Sequence, residues 1–164
     1  MAIETTTPTN RPTTLAAWIK CLDDVLLPVP QASHERVCKA IRDSRSSLRD
    51  IAELMQNSPA LVLSVMREAN SQAHGSLAEP AENLEVALNR LGLKRAEELL
   101  ARLPSVPARE IPVALRQLLL ISQHASQQAN GLFGSRLARL WQDIHWGSLL
   151  FLSPLWPMAV AYPK

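Results

Sequence analysis

Four histidines and two cysteines are the side chains best suited to metal or nucleophilic chemistry: His34, His74, His124 and His145, with Cys21 and Cys38. A hydrolytic metal needs ligands that gather, and helical ligand pairs sit three or four residues apart. The histidines are widely separated and show no H-x-x-x-H spacing. His145, between Ile144 and Trp146, reads as a core-edge histidine donating to a backbone carbonyl. Cys38 reads as a buried structural thiol on the inner edge of a helix. Two cysteines provide neither a disulfide framework nor a four-cysteine zinc site. No G-x-S-x-G elbow, G-x-G-x-x-G turn or Walker A loop is present, so neither an activated serine nor a phosphate cradle is expected. On this reading the chain holds no catalytic residue, cofactor site or metal site.

Charge points the same way. The 164 residues carry 17 Lys and Arg against 15 Asp and Glu, a formal net charge of +2. That balance forces neither a nucleic-acid nor an anionic-membrane partner. The basic cluster Lys39, Arg42, Arg45 and Arg49 is interleaved with Asp43, Asp50 and Glu53, as on a solvated helix face. The two short helices expected at 47–57 and 58–70 are spaced like a helix-turn-helix. The second, however, begins with the apolar SPALVLS, where a recognition helix needs polar groups to reach base edges. Nucleic-acid binding is therefore not expected.

The elements that would position any site are helices. Thr14 is placed to cap a helix from Leu15 to about Leu22, whose Leu15, Trp18, Ile19 and Leu22 form one apolar face. Leu26 to Pro30 breaks it. A second helix spans Gln31 or Ser33 to Asp43, with Val37, Ala40 and Ile41 inward. Ser47, with Asp50 three residues on, marks a capping box before a stripe of Leu48, Ile51, Leu54 and Met55. Ser58-Pro59 is an N-cap and N1 pair for a helix reaching Asn70. After a loop over 71–82, Leu84, Ala87, Leu88 and Leu91 form the next face, which Gly92 punctuates. Leu93 to Leu103 follows until Pro104, then a proline-rich connector to Pro112.

From Val113 to Ala129 a longer helix is expected, with Leu118 to Ile121 surrounded by protein. Gly131 either ends it or allows close packing inside it. Leu137 to Ile144 suggests helix again, and Leu149 to Tyr162 is apolar but interrupted by Pro154 and Pro157. Only seven charged residues fall between 104 and 164. No hairpin pattern and no fixed-length repeat is visible.

The fold is therefore expected to be all-α: one domain over 14–164 after a polar arm at 1–13 that lacks the apolar segment of a secretory signal. With no run of about 18 apolar residues, a cytoplasmic protein is expected. The apolar end at 164 suggests a cut within a longer protein.

Ser58 to Gly75, SPALVLSVMREANSQAHG, resembles the signature of the HDOD domain family of bacterial signalling proteins. Pro59, Ala60, Leu61, Ala69, Asn70, Ser71 and Gly75 match it, and Ser58 stands where the family usually has an acidic residue. Leu26 to Pro30 resembles the family's entry motif, and Leu84 to Arg95, with Gly92, its LGL helix pair. The resemblance implies a compact multi-helix bundle related to HD-type metal phosphohydrolases. It also implies a late helix with a His-Asp pair in related enzymes, where this chain has Phe151 and Leu152. Neither can hold a metal or move a proton.

The implied role is a non-catalytic regulatory module working through protein–protein contact, with an unidentified signalling protein or further chain as partner. A divergent phosphohydrolase acting on a nucleotide or cyclic dinucleotide is the alternative, and a nucleic-acid-binding regulator a second. Asn70 is expected either to pin its helix to neighbours or to be an exposed cap. The low-charge C-terminal third is the candidate contact surface, through Trp146 and Trp156, including a possible homodimer. A core role for the tryptophans is the competing reading.

Overall fold

A computed structural model describes residues 12–71, 79–133 and 140–163. Helix α1 (Leu15–Asp23) starts where Thr14 accepts a hydrogen bond from the Ala17 amide at 3.2 Å. A two-residue strand β1 (Val29–Pro30) leads into α2 (Gln31–Arg42), which α3 (Leu48–Met55) and α4 (Pro59–Ser71) follow. Next come α5 (Leu84–Arg102), a second short strand β2 (Ser105–Val106), and a single 3-10 turn at Ala108–Glu110. The chain closes with α6 (Val113–Phe133), α7 (Trp141–Leu150) and α8 (Leu155–Ala161). The described part is all-α apart from one small parallel ladder, as the family resemblance implied.

That ladder was not legible as strand. β1 pairs with β2 in the register Val29 to Ser105, and the Val29 amide donates to the Pro104 carbonyl at 2.8 Å. Both segments are proline-bounded and so already extended. Pro30 has no amide hydrogen to prolong the pairing. The ladder ties the entry of the bundle to the exit of α5.

The local signals for helix starts work as their chemistry requires. Ser47 and Asp50 form a reciprocal capping box: the Ser47 hydroxyl accepts from the Asp50 amide, and the Asp50 carboxylate accepts from the Ser47 amide at 2.8 Å. The two Ser47 donors hold the Asp50 carboxyl below its ordinary value. Asn83 caps α5, accepting from Val86 at 2.9 Å. Within α5, Gly92 stands at φ +71° and ψ 157°, so two helical segments meet there at a kink.

The core gathers Val29, Val37, Ile51, Met55, Leu61, Leu84, Leu88, Leu100, Leu115, Leu149 and Trp156 from nearly every element. Each large side chain taken fully from water contributes about 1.5–3 kcal/mol before conformational entropy is set against it. Pro59, Ala60 and Leu61 open α4 inside this core, and Ala69 closes its inner face.

Three expectations fail. Leu54 is exposed, as are Leu120 and Ile121; only Leu119 of the run 118–121 is buried, because a single helix cannot turn four consecutive residues inward. The stretch around Trp156 does complete a helix. Pro157 is the third residue of α8, in the first turn, where the missing amide hydrogen has no intrahelical acceptor to lose. Gly131, left open by the sequence, lies inside α6. Trp141–Ala161 is long and apolar enough by composition to cross a membrane, but it is bent: a turn at 151–154 separates α7 from α8, and Leu149 and Trp156 enter the core.

Candidate interaction surface

Two places concentrate the residues that the sequence singles out. The first is the junction after α4. Asn70, at the end of the helix, accepts through Oδ1 from the Ala81 amide at 2.7 Å and from Arg90 Nη1 at 3.3 Å. Arg90 Nη2 also donates to the Glu79 carbonyl at 2.8 Å. Three elements are thus joined at one half-buried amide: α4, the chain re-entering at 79–81, and α5. Ser71 is exposed, and its hydroxyl donates to the Glu68 carbonyl at 2.9 Å. Gly75 and His74 lie outside the described residues. Among the described residues the junction is a structural clamp: Asn70, Arg90 and the backbone of 79–81 are joined by hydrogen bonds.

The second place is the C-terminal third. Trp156 is 0 % exposed and packs within its own chain, so it is core and offers no contact surface. The completed α8 turns its indole inward, which the two prolines had argued against. Trp146 is half-buried against the core. The exposed apolar residues are others. Leu15 is 77 % exposed, Ile19 60 % and Phe151 80 %; Leu155 and Met158 are also exposed. Helix α1 has the apolar face its spacing predicts, yet no residue of α1 is buried.

Between α1 and α8 runs an open groove of about 540 Å³. Leu15, Trp18 and Ile19 form one wall, Pro154, Pro157 and Met158 the other, and Leu63 of α4 contributes to its lining. Its charged lining residues answer each other: Arg67 donates to the Asp23 carboxylate at 2.9 Å and to the Asp23 carbonyl at 2.7 Å. This exposed pair adds little stability; with the Trp18–Tyr162 ring contact, centroids 5.4 Å apart, it orients α1.

His34, Cys38 and His145 each make a contact inside the fold. His34 Nε2 lies 2.9 Å from the Leu100 carbonyl, so that nitrogen carries the proton. Nδ1 is left to accept from the Cys38 thiol at 3.8 Å. Burial pushes the Cys38 thiol up, only partly offset by the Arg42 charge, so it stays protonated at neutral pH. His124 is exposed on α6. His145 does not meet a backbone carbonyl as expected: its Nδ1 lies 3.1 Å from Ser126 Oγ on α6, with Trp146 edge-on at 4.8 Å. Its Nε2 is buried without a partner, and burial lowers its pKa. Clefts of about 180 and 140 Å³ flank it, the smaller lined by Gln56, Gln127 and Asn130 and by no charged group. Among the described residues, no three His, Cys, Asp or Glu side chains gather as metal ligands. Phe151 and Leu152 lie in the turn after α7.

The family model for the HDOD domain matches residues 27–129. No curated protein and no solved structure matches the chain. The match takes in β1 to most of α6, including the Asn70 clamp. Helices α1, α7 and α8, and with them most of the groove, lie outside it.

Proposed function

The chain belongs to the HDOD domain family, a signalling-related, HD-like domain, and from that premise we propose that it is a non-catalytic regulatory module that works by binding another protein. The observation that carries this reading is the uncovered apolar face of α1 and α8. A helix of nine residues with none buried is short of the length that persists alone in water, and Leu15 and Ile19 of its apolar stripe face solvent while Trp18 and Leu22 are half-buried. Exposed apolar surface of this kind marks interaction sites in soluble proteins.

The described chemistry supports the same reading. Phe151 and Leu152 occupy the turn to which the resemblance assigns the metal-binding pair in related enzymes, and neither offers a ligand atom. His34 and His145 are engaged with Leu100 and Ser126. A hydrolytic metal needs several converging ligands and an open position.

The test has two parts. Metal analysis and a phosphodiesterase assay with added manganese should give no stoichiometric metal and no turnover. Cross-linking from the α1–α8 face should give protein adducts. Turnover that depends on bound metal would replace this reading with the phosphohydrolase one.

A further inference from the structure

We propose that α1 is a strap latched over the interaction face by Arg67, and that its release at residues 24–26, with the rest of the bundle left folded, regulates access to that face. The inference rests on the reading of the α1–α8 face as an interaction surface and supplies its regulation.

Helix α1 stands outside the core. The buried apolar cluster and the side chains packed against it include no residue of α1, and Val25 is the first member in chain order. The family match likewise begins after α1, at residue 27. Elements with few buried contacts open as separate units, at a fraction of the free energy of global unfolding. Helix α8 is not free in this way, because Trp156, Ala159 and Val160 are buried. The hinge is set by what anchors the chain after α1. Leu27 and Val29 are buried, and the Val29 amide is bonded to the Pro104 carbonyl. Residues 24–26 are the span left to absorb the movement, and Asp24 and Leu26 within it are exposed.

One side chain latches the strap. Arg67 projects from α4, where Val65 and Ala69 are buried, so its base is fixed. Its Nη2 donates both to the Asp23 carbonyl at 2.7 Å and to the Asp23 carboxylate at 2.9 Å. Asp23 is the last residue of α1. The guanidinium therefore satisfies a carbonyl that has no intrahelical donor, at the negative end of the helix dipole. The second hold is the Trp18–Tyr162 ring contact. The Arg67–Asp23 pair is exposed, so water replaces it at little cost and the latch is a weak one.

The release uncovers apolar surface on both sides. Leu63 of α4 lines the groove together with Trp18 and Leu22 of α1, and all three are half-buried. With α1 turned away, Leu63, Pro157 and Met158 lose their facing wall. The Leu15, Trp18, Ile19 and Leu22 stripe comes free at the same time. Docked, α1 keeps part of the face from water; released, it opens that part to a partner.

Hydrogen exchange read by mass spectrometry on the full chain at neutral pH tests this, with Arg67→Met and a control, Arg49→Met, which removes the exposed Arg49–Glu53 pair on α3. In the wild type the amides of α1 should exchange more slowly than an unstructured segment and much faster than those of α4. In Arg67→Met they should exchange on the order of tenfold faster, as the loss of an exposed charged contact requires, with α4 to α6 unchanged. Bis-ANS, a dye for exposed apolar surface, should bind more to Arg67→Met than to the wild type. Arg49→Met should match the wild type in both measurements. Protection of α1 equal to that of α4, or its complete exchange at the earliest time, overturns the proposal. So does an α1 rate that Arg67→Met leaves unaltered, or an acceleration that spreads through α4 to α6 and so makes Arg67 part of the core. Faster α1 exchange with no gain in dye overturns the regulation of the face. Failure here leaves the regulatory reading standing, because that reading falls only on metal-dependent turnover or on the absence of protein adducts.

Discussion

Asn70 Oδ1 sits 2.7 Å from the amide nitrogen of Ala81, eleven residues away, and so closes the excursion between α4 and α5. Arg90 approaches the same oxygen from α5. One side-chain carbonyl therefore ties the end of α4 both to the chain re-entering at Ala81 and to Arg90 of α5.

Asn70→Ala should cost about 1–3 kcal/mol, the penalty for stranding partly buried donors. Asn70→Asp keeps an acceptor for both Ala81 and Arg90 and should recover most of that loss. Urea midpoints at neutral pH measure both. An unchanged midpoint for the alanine variant would mean the clamp is only an exposed cap.

Gly92→Ala should destabilise by about 1–3 kcal/mol through the backbone alone. A Cβ there would meet nothing within 4 Å, so crowding adds nothing. The cost comes from φ +71° with an extended ψ, a region open to glycine and closed to alanine. Thermal unfolding of the variant decides this, and a neutral result would contradict the kink.

Trp156→Ala should cost about 3–5 kcal/mol, as for other large-to-small changes in a core. Trp156→Phe should cost clearly less, because it also removes an indole N–H that has no partner. Denaturant titration with circular dichroism reads both. Equal stability of all three proteins would return Trp156 to the surface.

Stability should fall in mild acid because of His145. Burial lowers its folded pKa below the ordinary 6.5, so the unfolded chain takes up the proton first. Above 6.5 both states are neutral and nothing is lost. As pH drops below 6.5 the unfolded state gains, and the loss levels off once pH passes the depressed folded value. Urea midpoints from pH 8 to pH 5, compared with His145→Gln, isolate this contribution. Parallel profiles for the two proteins would remove it.

Signals carried by neighbouring residues were legible in the sequence. The Ser47–Asp50 box, the Ser58-Pro59 start and the Gly92 break each act within one turn, where spacing determines geometry. Long-range partnerships were not. Nothing in a period of three and four says whether an apolar stripe is covered, and α1 has the stripe without the cover. The prolines flanking Trp156 read as a broken helix because the position of Pro157 within its turn depends on where α8 begins. The Ser126 partner of His145 lies nineteen residues away on another helix. Of the two tryptophans singled out for a contact, Trp156 is core, and the exposed apolar residues Leu15 and Ile19 come from the opposite end of the sequence.

The central claim is that this protein acts by contact through the α1–α8 face. A photoreactive residue placed at position 19, against one at position 93, tests it most directly in cells expressing the full chain. Irradiation should give discrete protein adducts from position 19 and few from position 93. Equal labelling from both positions, or none from position 19, would contradict the account.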